Sequence, residues 1–162
     1  MTFEDHIKAC IKKAELIYNI SLGHVEIKYN IRTNSTIVGQ ASMSGDSLKL
    51  RFQRRALENH YEYMVKETIP HEVAHLVTYV RPDLGCSHDT GWKAICQALG
   101  GEGRTYHDLK NVVKTYQYVS DTGAIVDLSI IRHNKLQKGK VISYSVRGLG
   151  VITKNDFQRV CG

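Results

Sequence analysis

Two histidines four residues apart constrain this chain more than any other feature. They lie in Ile69-Pro70-His71-Glu72-Val73-Ala74-His75-Leu76, a His-Glu-x-x-His pattern inside an apolar run. An α-helix turns every 3.6 residues or so, which sets His71 and His75 one above the other on one face. Two imidazoles placed in this way suit a shared metal ion, zinc best of all. Glu72, beside the first histidine, is placed to act as a general base toward a metal-activated water without ligating the metal itself. Val73, Ala74, Leu76 and Val77 make the helix apolar on its other faces, so it is expected to be buried. Buried imidazoles and a buried carboxyl need partners, and one cation would satisfy all of them. The alternative is an amphipathic helix that carries two histidines without a ligand.

The chain has 162 residues, 42% hydrophobic and 23% charged, enough for one domain with a core and a small appendage. No apolar run approaches the ~20 residues of a membrane span. The start, Met1-Thr2-Phe3-Glu4-Asp5, lacks the basic and apolar segments of a signal peptide. A cytoplasmic, membrane-free protein, monomeric by default, is the expectation. Cys10, Cys86, Cys96 and Cys161 form no Cys-x-x-Cys pair and read as free thiols. The formal charge of +6 is uneven: residues 116–162 hold seven Lys/Arg against three Asp/Glu. Such a segment suits an acidic partner, nucleic acid first, or serves only solubility.

Periodicity predicts a helix over residues 5–19, with Ile7, Cys10, Ile11, Ala14, Ile17 and Tyr18 on one stripe, then an alternating strand over 24–31. Residues 37–52 read as a hairpin turning at Ser44-Gly45-Asp46-Ser47, with Leu48, Leu50 and Phe52 inward. A helical pattern runs from about Ala56 to Val80. Pro70 interrupts it, which predicts a kink or a fresh start capped by Thr68. A third helix is expected from about His88 to Leu99, with Trp92, Ile95, Cys96 and Leu99 on its buried face. Beyond Tyr116, short alternating segments between glycines read as a small antiparallel β subdomain.

Three protein ligands are usual at a catalytic zinc site. Thr78 and Arg81 stand where a metzincin would have a glycine and a third histidine. Glu102 lies in a glycine-rich turn and is a poor candidate. His88, thirteen residues past His75 in a segment that can fold back, is the better one, against the alternative of a histidine in solvent.

Pro70-His71-Glu72-Val73-Ala74-His75-Leu76 and Ser87-His88-Asp89-Thr90-Gly91-Trp92-Lys93, with the hairpin Gly39-Gln40-Ala41-Ser42 and Leu48-Lys49-Leu50-Arg51-Phe52, resemble the SprT family of zinc metallopeptidases. Its eukaryotic relative, Spartan, is a protease of DNA–protein crosslinks. Arg132-His133-Asn134-Lys135 with Gly139 resembles a signature in the C-terminal zinc ribbon of bacterial members. The resemblance implies an α+β fold with a zincin-like helical core and a small antiparallel hairpin or sheet over residues 1–115. Residues 116–162 would form a ribbon-like antiparallel β subdomain. It also implies that His71, His75 and His88 hold one Zn2+, that Glu72 is the catalytic base, and that the substrates are proteins, those on DNA included. A nucleoid-associated location would fit. The ribbon's four cysteine positions fall here on Tyr118, Ser120, Val146 and Leu149, so the subdomain is expected to keep its strands without a metal, packed instead on Tyr118, Tyr144, Val146 and Leu149. Arg132, His133, Lys135, Lys138 and Lys140 are expected to share one hairpin and to meet DNA phosphates. Tyr116, Tyr118 and Tyr144 are expected either to stack on unpaired bases or to form the subdomain core. A zinc-containing DNA-binding adaptor without turnover is the alternative function.

Overall fold

In the computed structural model, helix α1 (Phe3–Tyr18) opens on a reciprocal cap. Thr2 Oγ1 accepts from the Asp5 N–H and Asp5 Oδ2 accepts from the Thr2 N–H, which satisfies two amides that a helix start otherwise leaves unpaired. The helix buries Phe3, Ile7 and Ala14, whereas Ile17, at the end of the expected stripe, is 47% exposed. The structure describes residues 1–110 and 112–161; Asn111 and Gly162 lie outside it.

Strands β1 (Val25–Lys28), β2 (Gly39–Ser44) and β3 (Ser47–Phe52) form one sheet in the order β1-β3-β2. β2 and β3 are the expected antiparallel hairpin, turning where Gly45 takes φ +55°. β1 joins in parallel on the far side of β3. Leu48, Leu50 and Phe52 alternate inward and are buried, and Phe52 meets Phe3 edge to face at 5.1 Å.

After α2 (Arg54–Asn59) and the short turn α3 (Tyr61–Tyr63), residues Met64–Thr68 form a π-helical segment that runs directly into α4 (Ile69–Val80). Proline cannot donate a backbone bond and crowds the carbonyl four residues back. A widened turn, with the Ile69 N–H bonded to the Met64 carbonyl, lets the chain stay helical through Pro70. Thr68 is therefore not the expected cap. Its backbone is helical, and its hydroxyl donates to Met64 Sδ at 3.4 Å. Nine of the twelve α4 residues are buried, and the helix packs against α1, β2 and α5 (Thr90–Leu99). Trp92, Ile95, Cys96 and Leu99 are the buried face of α5, as their spacing requires. These elements belong to one compact unit, Met1–Leu109; Lys110–Gly162 form a second.

The second unit holds a three-stranded antiparallel sheet in the order β5-β4-β8, made of β4 (Thr115–Val119), β5 (Ile125–Ser129) and β8 (Phe157–Cys161). A separate hairpin joins β6 (Ser143–Val146) to β7 (Gly150–Thr153). Between β5 and β6 lies helix α6 (Ile130–Gln137), which the strand pattern did not anticipate. The Ser129 hydroxyl accepts from the Arg132 N–H at its start, and such a cap ends the strand alternation and begins a helix. The predicted hairpin for the basic residues is thus corrected. Arg132, His133 and Lys135 lie on α6, Lys138 caps it, and Lys140 lies in the turn beyond. Tyr118, Val126, Leu128, Leu136 and Ile152 form the core, with Tyr116, Tyr144, Val146 and Phe157 packed around it. Leu149, assigned to this core from the sequence, is 39% exposed. Among the described residues no helix is long and apolar enough to cross a membrane.

Candidate metal centre

Helix α4 presents His71 and His75 on one face with their Nε2 atoms 3.2 Å apart. The Nε2 of His88 comes within 3.2 Å of His71 Nε2. One ligand nitrogen from each ring lies within 4.8 Å of the other two. The three rings that the sequence singled out are therefore brought together.

His88 reaches the site from a tight turn, not from the helix start where the periodicity placed it. It precedes α5 with φ +60°, in the left-handed region. Asp89 caps α5 by accepting from the Trp92 N–H at 2.8 Å through Oδ1, and its Oδ2 accepts from the Cys86 N–H at 2.9 Å. One carboxylate thus begins the helix and closes the loop in front of it, folding His88 back over α4. Both bonds hold the Asp89 carboxyl below its ordinary range, the Trp92 bond most. Gly91 is required here, since a Cβ on it would run into the Leu84 carbonyl oxygen.

The rings rest on Trp92, which is fully buried. Its ring centre lies 4.6 Å from that of His71, 5.2 Å from His75 and 4.7 Å from His88. The tautomer of His71 follows from its Nδ1, which lies 3.1 Å from the Arg104 carbonyl oxygen. A carbonyl only accepts, so Nδ1 carries the proton and the Nε2 lone pair faces the other rings. Among the described residues, buried His75 Nδ1 has no partner.

Glu72 is 6% exposed. It lies against Gly39, where a Cβ would come within 2.7 Å of its Oε1, and it accepts from the Ala41 backbone N–H. The edge strand β2 thus runs past the carboxyl. Tyr79, stacked on His75 with ring centres 6.3 Å apart, donates its hydroxyl to the Ala41 carbonyl at 3.3 Å. A cleft of about 610 Å³ opens over these groups, lined by residues 36–41 and 103–107 among others.

Burial favours the neutral form of all four groups. Burial pushes the Glu72 carboxyl up to about 8, against the opposing pull of the Ala41 N–H. Burial, and after it the neighbouring His88, lowers His71 to about 4. Burial, then His71 and His88, lowers His75 to about 3. Burial also lowers His88. The site therefore holds three neutral imidazoles with converging nitrogens beside a carboxyl that ionises reluctantly. A cation would reverse the penalty on the carboxyl and engage the imidazole lone pairs. The residues present fit a metal ion.

Sequence reasoning did not find Gln53, Glu67 or Arg104. Gln53 is fully buried, and its Nε2 donates to the carbonyls of Arg32 at 3.1 Å and Ser35 at 2.7 Å, fixing the loop that leads into β2. Glu67 Oε2 accepts from the Glu102 N–H at 2.9 Å. No motif marks these residues, because their roles depend on backbone atoms distant in sequence. In the second unit, His133 is stacked on Tyr116 at 3.8 Å and its Nδ1 is hydrogen-bonded with the Tyr118 hydroxyl at 2.9 Å. Tyr118, offered above as a base-stacking residue, is fully buried.

An apolar helix bearing His-Glu-x-x-His, with a third histidine folded over it from the next turn, defines an α+β protein with a candidate metal centre. The chain belongs to the SprT-like family, whose model matches residues 7–115. It is 28% identical to Protein SprT of Actinobacillus succinogenes, over 88% of this chain and 83% of that one. It is 29% identical to Protein SprT of Proteus mirabilis, over 80% and 77%, and 30% identical to that of Vibrio parahaemolyticus, over 84% and 81%. No solved structure matches it significantly.

Proposed function

We propose that the chain is a zinc-dependent peptidase that acts on proteins, including proteins bound to DNA. The observation that carries this reading is the convergence of His71, His75 and His88 beside a buried Glu72. A structural metal site has no use for that carboxyl, whose burial disfavours its charge. The two 3.2 Å separations, from His71 Nε2 to those of His75 and His88, are close to the ~3.3 Å edge of a tetrahedron centred ~2.0 Å from each nitrogen, the geometry zinc prefers.

His71, His75 and His88 would hold the ion. When bound, zinc supplies Lewis-acid polarisation of a peptide carbonyl and of a water molecule. Glu72 takes a proton on a carboxylate oxygen and later returns it to the departing amine. The Ala41 N–H and the close backbone of Gly39 hold that carboxylate in place. The Arg104 carbonyl keeps the His71 proton on Nδ1, and Trp92 supports all three rings. Residues 36–41 and 103–107 form the walls that orient a polypeptide over these groups.

Arg132, Lys135, Lys138 and Lys140 are exposed in the second unit, and Arg132 lies 5.8 Å from the Tyr144 ring centre. Cations on a helix and the turn after it suit phosphates without reading sequence. DNA contact through this unit would bring the enzyme to DNA-bound substrates.

Digestion of casein and of histones, with and without DNA and with a chelator, tests the reading. Wild-type protein is expected to cleave, and both chelation and Glu72→Gln to abolish cleavage with the fold intact. Cleavage by Glu72→Gln at the wild-type rate would remove the assigned base. Zinc binding without cleavage of any protein is the outcome expected of a DNA-binding adaptor. Absence of DNA binding at low salt would end the DNA part alone.

A further inference from the structure

The segment Gly100–His107 returns from the end of α5 and passes beside the metal centre. Its path is fixed at several points. The Gly101 N–H donates to the Cys96 carbonyl at 3.0 Å. The Glu102 N–H donates to Glu67 Oε2 at 2.9 Å, and the Glu102 carbonyl accepts from Gln97 Nε2 at 3.3 Å. Gly103 then takes φ +73° against Lys93, where a Cβ would lie 2.7 Å from Lys93 Cγ. His107 Nε2 donates to the Thr36 carbonyl at 2.8 Å. Between these holds, the Arg104 carbonyl meets His71 Nδ1 at 3.1 Å.

Glu67 is the carboxylate that holds this backbone, by its bond to the Glu102 N–H. It is partly buried and lies in the π-helical segment Met64–Thr68. An irregular turn of this kind changes which side chains face a neighbouring segment, and such turns often occur at functional sites. The Glu67 carboxylate bonds an amide two residues before the carbonyl that fixes the His71 ring. Loss of that bond would release the Glu102 N–H and let the Arg104 carbonyl shift relative to Nδ1, although Gln97 still holds the Glu102 carbonyl. The His71 proton is then free to move to Nε2, which would remove the lone pair from the ligand position.

We propose that Glu67 is a positioning residue for the metal centre, holding the loop whose Arg104 carbonyl sets the ring tautomer of His71. This rests on the reading of His71, His75 and His88 as ligands. The side chain of Arg104 takes no part, since only its backbone oxygen is used; it pairs instead with Glu102.

The test is competition for zinc between the full-length protein and a chromophoric chelator. It is accompanied by ring 15N spectra that report the His71 tautomer in the metal-free protein. Glu67→Ala is expected to weaken zinc binding at least ~10-fold, the loss typical when a hydrogen bond to a metal-ligating histidine is removed, and to shift His71 toward the Nε2–H form. Glu67→Gln keeps an acceptor oxygen and is expected to stay within about threefold of wild type. If Glu67→Ala binds zinc within threefold of wild type, the proposal is overturned. If Glu67→Gln is as weak as Glu67→Ala, charge and not the hydrogen bond is responsible, and it is overturned as well. Should Glu67→Ala not fold, Glu67→Asp, one methylene shorter, decides in its place by the same criterion. A wild-type protein that binds no zinc would defeat the metal reading itself. Zinc binding in wild type with unaffected variants would defeat only the role of Glu67.

Discussion

Gly39 lies against Glu72 so closely that a methyl group on it would come within 2.7 Å of Oε1, 2.9 Å of Cγ and 2.6 Å of Thr68 Cγ2. Strand and helix can meet at this distance only through a residue without a side chain. Gly39→Ala is therefore expected to displace the Glu72 carboxyl while leaving the three histidines in place. Digestion rate should fall at least ~10-fold, because a misplaced catalytic group is costly, with zinc content unchanged and a stability loss of about 1–3 kcal/mol from overpacking. Rate and metal content measured on one preparation check this. A wild-type rate would show that the carboxyl has room to move without consequence.

Gln53 makes a second prediction, about stability. Its buried amide donates to carbonyls of the loop that precedes β2. Gln53→Ala removes the donor to these carbonyls, of which Arg32 keeps its bond from the Ser35 N–H, and is expected to cost about 1–3 kcal/mol, read as a lower urea midpoint at unchanged slope. Gln53→Glu should be worse, since it sets a carboxylate against carbonyl oxygens in a buried position.

The metal-free protein should show a stability maximum in pH. His71 and His75 are held at about 4 and about 3, below their ordinary 6.5. They contribute stability in full above 6.5, and that contribution is lost as pH falls toward 4. Glu72 is raised from 4.5 to about 8, so its contribution is full below 4.5 and is lost as pH rises toward 8. The unfolded chain binds more protons than the folded one at pH 5.5 and fewer at pH 7.5, which places the maximum at about pH 6.5 for these three groups. Thermal denaturation with chelator across pH 5 to 8 checks it. A Tm that rises throughout that range would mean that Glu72 is not held protonated. Adding zinc should favour the carboxylate and remove the fall on the alkaline side.

Much of this arrangement was legible in the sequence because it is local. The four-residue spacing of His71 and His75 fixes their common face, and the positions of Trp92, Ile95, Cys96 and Leu99 fix the buried side of α5. The hairpin around Gly45 follows from its alternation and its turn residues. What escaped depends on contacts between distant segments or on competing local preferences. Glu67 and Gln53 act on backbone atoms 35 and 18–21 residues away, and nothing in their own neighbourhoods signals it. Helix α6 was hidden because Ile125–Leu128 alternate as a strand and Ser129 then caps a helix. The widened turn before Pro70 resolves the proline without the break that its chemistry suggested. His88 takes φ +60°, a conformation that its place near a helix start did not reveal.

Elemental analysis of the purified full-length protein, equilibrated with zinc and desalted, tests the central claim most directly when wild type is run beside His88→Ala. One zinc per wild-type chain and a large loss in the variant are expected, because the third imidazole completes the set. Wild type without stoichiometric zinc, or His88→Ala holding as much as wild type, would contradict the three-histidine centre.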